Sequence, residues 1–226
     1  MSRPCHRPRT DPIEALWAGK GSTRERRPVR VTTIIVLALV KPAMSYPLLA
    51  DSLDLEYWGV EDTKVTTKSK QRFAPITARG KPAIFKLSAE PLLCPWGVDK
   101  FQDLDSGRIT LTLIVEDPGL IESLEKIDGW VQRRGEAMKI KGNYKPIVTN
   151  NEKYGNKKIK VKVQLDVAKF WRPDKNPYEF LPELKGSKVD CVVQFAKIWT
   201  GVDQWGCTVE LKHALVEESS LAACPF

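Results

Sequence analysis

Residues 157–165, KKIKVKVQL, alternate without a break. Ile159, Val161, Val163 and Leu165 point one way, and Lys158, Lys160, Lys162 and Gln164 point the other. A period of two is that of a half-buried β-strand. One side needs a core, and the other is a row of ammonium groups about 7 Å apart, two residues per repeat. A chain carrying such a segment must build a sheet with one wet, positively charged surface.

The flanking sequence supplies that sheet. Residues 108–116 (RITLTLIVE) set Ile109, Leu111, Leu113 and Val115 against Arg108, Thr110 and Thr112, a second half-buried strand. Residues 83–88 (AIFKLS) read as a short strand, and 91–101 (PLLCPWGVDKF) as a loop with apolar anchors. Asp117 and Pro118 fit the N-cap and first position of a helix carrying Leu120, Leu124, Ile127 and Val131 at helical spacing, with Gly135 marking its end. Residues 140–156 read as a long loop and 168–186 as a Pro-rich connection. Residues 187–199 and 206–216 form two last strands around a hairpin loop at 200–203. On the last strand, Cys207, Val209, Leu211, His213 and Leu215 share the buried face. Trp96, Phe101, Trp199 and Trp205, near strand ends and loops, are expected to close the core, and Trp130 to belong to it. The order predicts a mainly β fold: an OB-like Greek-key barrel with one inserted α-helix and flexible N- and C-terminal extensions.

The expected organisation is a basic N-terminal extension over 1–43 and an irregular arm over 44–80. A barrel follows over 81–216, and a flexible tail over 217–226. Residues 1–43 hold nine Lys/Arg and three acids, which accounts for most of the net charge of +8. Their apolar run at 31–40 (VTTIIVLALV) is too short to span a bilayer as a helix. A targeting peptide, a disordered basic arm and translated leader sequence compete for this region. The composition changes abruptly at Met44, which favours the leader, with Met44 as the start.

Charge is also gathered in 139–175, where eleven Lys/Arg face only three acids, with Tyr144, Tyr154, Phe170 and Trp171 interleaved. Lysines neutralise phosphates and flat rings stack on unpaired bases, so this composition fits a single-stranded nucleic-acid site. The candidates are Lys145, Lys158, Lys160 and Lys162 for phosphates, with Trp171, Arg172, Tyr144 and Tyr154 for bases and their phosphates. A plain solvated face is the competing reading of the lysines, and core packing that of the rings. Enzyme signatures are missing. GKGS at 19–22 lacks phosphate-loop spacing, and no HExxH, GxSxG or Cys–His arrangement occurs. Five scattered cysteines and two histidines give neither a disulfide framework nor zinc spacing. No catalytic residue, metal or cofactor is therefore expected, and the compartment is taken as reducing and intracellular.

The PLLCPWGVDKF loop, the RITLTLIVED strand, a helix with LEKID, the lysine-rich strand, KGSKVDCVVQFAKIW and WGCTVELKHALV occur in that order. The pattern resembles the OB-fold single-stranded DNA-binding proteins of short-tailed phages and of large DNA viruses of eukaryotes, over roughly residues 80–216. The resemblance implies sequence-tolerant binding of single-stranded DNA in viral replication, recombination or repair, without catalysis. It also implies a host nucleus or cytoplasm as the compartment. Family members often end in an acidic tail with a terminal aromatic. Here Glu217, Glu218 and Phe226 stand for that tail as a docking site for replication proteins, although both acids lie well before the end. A homodimer is left open and no membrane partner is expected. Two alternatives remain: an assembly protein using the basic strand as a protein interface, and an RNA-binding OB module.

Overall fold

In a computed structural model, residues 46–65, 71–98, 107–152 and 155–217 are described. The expectations for residues 1–43, Met44, Phe101, Tyr154, Glu218 and Phe226 lie outside them. The elements in chain order are α1 (Leu49–Ser52), a 3-10 turn (Leu55–Tyr57), β1 (Trp58–Val60), β2 (Lys64–Val65), β3 (Arg72–Ala78), β4 (Lys81–Lys86), β5 (Leu92–Cys94), β6 (Arg108–Val115), α2 (Pro118–Ala137), β7 (Asn143–Lys145), β8 (Val148–Asn150), β9 (Lys157–Gln164), β10 (Lys169–Trp171), β11 (Ser187–Thr200) and β12 (Gln204–Glu217).

The two alternating segments pair as their patterns require. In the antiparallel β6–β9 ladder, Ile109 faces Val163, Leu111 faces Val161 and Leu113 faces Ile159, all buried. Thr110 faces Lys162 and Thr112 faces Lys160 on the opposite side. A register fixed this way is hard to slip, because a one-residue shift would turn every lysine inward.

The long β11–β12 hairpin is the spine of the sheet. Along one edge, β11 pairs in turn with β5, β4 and β3. Along the other, β12 takes β10, β9 and β7, all in parallel. The result is a curled, largely antiparallel half-barrel of OB-like form with α2 inserted between β6 and β7. Strands of 14 residues would be long for a flat sheet, but the ladder breaks register twice. Ala196 and Lys212 are the extra residues, and each such bulge bends its strand and sharpens the twist.

Helix α2 begins as expected, with Asp117 accepting hydrogen bonds from the Gly119 and Leu120 amides at 3.1 Å each. Leu120, Leu124, Ile127, Trp130 and Val131 are buried against the sheet. Gly135 does not end the helix. It lies buried in its last turn, where Trp205 packs so closely that a Cβ would stand 2.1 Å from the indole Cη2.

Residues 44–80 correct the expected irregular arm: β1, β2 and β3 lie within them. Leu49 and Trp58 belong to the core, and Trp58 stacks on Phe85 at 5.6 Å and meets Phe195 and Trp130 at 5.5 and 5.6 Å. Short strands with Gly and Pro carry little periodicity, so their pairing was invisible until β11 offered a partner. For the same reason β5, β7, β8 and β10 occur where loops were expected. The three described cysteines are free thiols. No described helix is long and apolar enough to cross a membrane.

Gly135→Ala should lower stability by about 1–3 kcal/mol through overpacking against Trp205. Urea denaturation monitored by tryptophan fluorescence would check this, and an unchanged midpoint would contradict the tight contact.

Candidate nucleic-acid interface

The sheet surface facing away from the core is built from five strands. Lys160 and Lys162 project from β9 beside Thr112 and Thr110 of β6. Lys162 lies opposite Glu210 of β12, which in turn lies opposite Gln194 of β11. One row along, Lys197 of β11 pairs with Thr208 of β12. Lys145 enters from β7, whose backbone closes on Gly206 so tightly that a Cβ there would stand 2.7 Å from the Lys145 carbonyl oxygen.

These cations feel one another. The Lys162 pKa falls below its ordinary 10.5 because its ammonium is partly desolvated and because Lys197, Arg108 and Lys145 are near. Glu210 pushes back in the other direction. Its carboxylate also holds Lys212 at 3.2 Å. A cluster in which one acid stands among several cations has an unmet preference for negative charge.

Rings stand at both ends. At one, Phe73 of β3 lies opposite Trp199 of β11, with the Lys197 ammonium 5.1 Å from the Phe73 ring centre. At the other, Trp171 of β10, His213 of β12 and Tyr46 form a group. Ring centres are 6.2 Å apart for Trp171–His213 and 5.7 Å for Tyr46–His213. Gly206, beside Trp199, and His213 are seven residues apart on β12, so the two aromatic ends stand roughly 20 Å apart at about 3.3 Å per residue.

The lysines expected from sequence divide. Lys145, Lys160 and Lys162 share this surface. Lys158 points the same way but is half-buried beside Ile114 of β6 and Thr149 of β8. Trp171 is half-buried at the far end, and Arg172 stacks on Tyr178 at 5.0 Å in the following turn. Tyr144 is not brought to the surface. Its ring packs on Trp205 at 4.7 Å, and its hydroxyl donates a short hydrogen bond to Asp128 of α2. Asp128 also accepts from the Ile147 amide at 2.8 Å. Burial pushes the Asp128 carboxyl above its usual range, against the pull of these donors. Tyr144 thus pins the 143–148 segment to the helix and so positions Lys145. Glu217 ends β12 opposite Lys188, half-buried.

Lys197, Phe73, Trp199 and Arg108 were missed. Phe195 faces inward, so simple alternation would bury Lys197 and Trp199 as well; the extra residue Ala196 turns both outward. A lysine at a nominally buried position was the available signal of that bulge. Trp199 and Trp96 therefore do not close the core as expected, Trp96 being 45% exposed, whereas Trp205 and Trp130 are buried. His213 is corrected likewise. The bulge at Lys212 hands the core position to Ala214 and puts His213 on the outer surface.

Among the described residues no cluster of His, Cys, Asp or Glu is placed to hold a metal. No family model matches this chain, and no curated protein matches it. Among solved structures, the chain is similar to gp2.5, a single-stranded DNA-binding protein encoded by bacteriophage T7. The identity is 16%, 61% of this chain and 92% of that chain are covered, and the TM-score is 0.39.

The aromatic group at the far end is sensitive to protonation. The Trp171 indole N–H donates to His213 Nδ1 at 3.4 Å, so the neutral ring carries its proton on Nε2, 3.2 Å from the Tyr46 hydroxyl. Partial burial, and then Lys169, hold the His213 pKa below 6.5. A depressed histidine adds stability that is present above pH 6.5 and lost as pH falls through its folded value. Acidification should therefore free the Trp171 indole. Following the Trp171 indole N–H resonance and the thermal midpoint against pH would test this, and His213→Gln should flatten both curves below pH 6.5.

Proposed function

We propose that this surface binds single-stranded DNA without sequence selectivity, in replication, recombination or repair. One observation carries the reading: Lys145, Lys160, Lys162 and Lys197 come from three strands to one sheet surface with rings at both ends. Cations at strand spacing can track a phosphate backbone, and each neutralised phosphate releases counterions. Rings stack on any base, because every base has a π-face. Neither contact reads sequence, which requires hydrogen bonds to base edges. Duplex DNA hides its base faces, so the rings favour an unpaired strand. Binding needs no catalytic group, in keeping with a function that ends at holding the strand.

Glu210 works against binding. It sits in the middle of the cationic surface and holds Lys212. A bound phosphate would have to compete with it for that lysine.

The test is fluorescence anisotropy of the chain with a labelled strand of about 30 nucleotides, longer than one OB-fold footprint. Measurements at several salt concentrations would include duplex DNA and RNA as competitors. Lys162→Glu and Lys197→Glu should each weaken binding by about tenfold or more, and each lost phosphate contact should reduce the log–log salt slope by about 0.7. Trp199→Ala should cost about 1–3 kcal/mol per base stacked. Glu210→Gln should tighten binding. Absence of binding at low salt would overturn the reading, and preference for RNA would reassign the ligand.

A further inference from the structure

The outer sheet surface changes character from one side to the other. Across the strands, its central row runs Ile84 of β4, Gln194 of β11, Glu210 of β12 and Lys162 of β9. The next row toward the β11–β12 turn runs Pro75 of β3, Lys197 and Thr208. Lys160 falls level with Thr208, because each lies two residues before a member of the Lys162–Glu210 pair on parallel strands. The row after that runs Phe73, Trp199, Gly206 and Lys145. Each row therefore begins apolar on the β3–β4 side and ends cationic on the β7–β9 side.

The apolar side is unusual for a wet sheet face, which ordinarily takes the polar members of an alternating strand. Ala74 and Ile76 turn into the core and leave Pro75 outside; Ala83 and Phe85 do the same to Ile84. The line these residues form is closed at its far end by Tyr46. The Lys86 amide bonds the Pro47 carbonyl at 3.0 Å, on the edge of β4 away from β11. From there the Tyr46 side chain reaches back across Lys86 and Val192 to His213, its hydroxyl 3.2 Å from Nε2. Val192 and Trp199 are seven residues apart on β11, so rings bound an apolar line roughly 20 Å long at about 3.3 Å per residue.

We infer that the strand lies lengthwise along β11 and β12, its bases over Phe73, Pro75 and Ile84 and its phosphates toward Lys145, Lys160 and Lys162. The inference rests on the single-stranded DNA reading of this surface and adds the path and the facing of the strand. Pro75 and Ile84 carry neither charge nor a side-chain donor, so they offer nothing to a phosphate, but they can cover the flat face of a base. The apolar and cationic lines run parallel, three strand spacings apart in the central row, or roughly 14 Å at about 4.8 Å each. Lys197 stands between them on β11. A strand laid along both lines meets an apolar floor and a cation at successive nucleotides. A strand laid across them would set phosphates on Ile84 or bases on Lys162.

Methyl NMR and anisotropy of the whole chain separate base contacts from phosphate contacts. A thymidine strand of about 12 nucleotides, within the range of OB-fold footprints, should shift the Ile84 methyl signals. An abasic strand of the same length keeps every phosphate and should leave them in place. Ile84→Ser should weaken the thymidine strand about fivefold, with an unchanged salt slope and no effect on the abasic strand. Lys162→Glu should weaken both strands and lower the salt slope. The methyl readout uses the unaltered chain, so it holds even where Ile84→Ser lowers stability. Ile84 methyls that stay still, or move equally with the abasic strand, while Lys162→Glu still weakens binding, overturn the base line and spare the interface. Movement of these methyls on concentrating the chain without DNA assigns the apolar line to contact between copies and overturns it. No binding of either strand overturns both.

Discussion

The facing of Lys197, Trp199 and His213 depends on the two places where the β11–β12 ladder loses register. A continuous ladder of 14-residue strands would keep one alternation throughout and bury Lys197, Trp199 and His213. Burying a lysine without a partner costs several kcal/mol. The extra residues Ala196 and Lys212 remove that cost by reversing the phase. They also curl the hairpin, so that β3, β4 and β5 gather along one edge and β7, β9 and β10 along the other. The same two residues thus close the half-barrel and decorate its outside.

A second constraint holds the helix to the sheet. Trp205 lies over Gly135 of α2, packs on Tyr144, and donates its indole N–H to the Gly142 carbonyl at 3.1 Å. Tyr144 reaches back to Asp128, which also receives the Ile147 amide. A buried carboxylate is costly unless its lone pairs are filled, and here a hydroxyl and backbone amides fill them. The network fixes the path of residues 142–148, and with it the place of Lys145 on the surface. A helix inserted into a β fold is thereby coupled to the charged surface without touching it.

The separation of charge and aromatic rings follows from chain order. The lysines come mainly from strands in the middle of the sheet, while the rings come from β3 and β11 at one end and β10 and β12 at the other. Lys197 belongs to both groups, since it faces Phe73 and also lowers the pKa of Lys162. Glu210 keeps the cations of the central rows from repelling one another outright. The folded protein therefore holds its positive charge at the cost of placing one acid within it.

Local sequence carried the strongly periodic elements. Residues 108–116 and 157–165 state their own faces, and Asp117-Pro118 states where α2 begins, because alternation and capping act within a few residues. The lysines of β9 were legible for the same reason. Short pieces such as β1, β5, β7 and β10 were not, since a three-residue strand exists only through its partner. Tyr144 looked exposed because Asp128, its partner, lies 16 residues earlier on the helix. Sequence alone determined that this chain builds a sheet with a cationic surface, since alternation leaves a row of lysines nowhere else to go. Tertiary structure alone decided which rings and which further cations join that row. A bulge reverses the facing of every residue beyond it, and only long-range pairing reveals where the bulge falls.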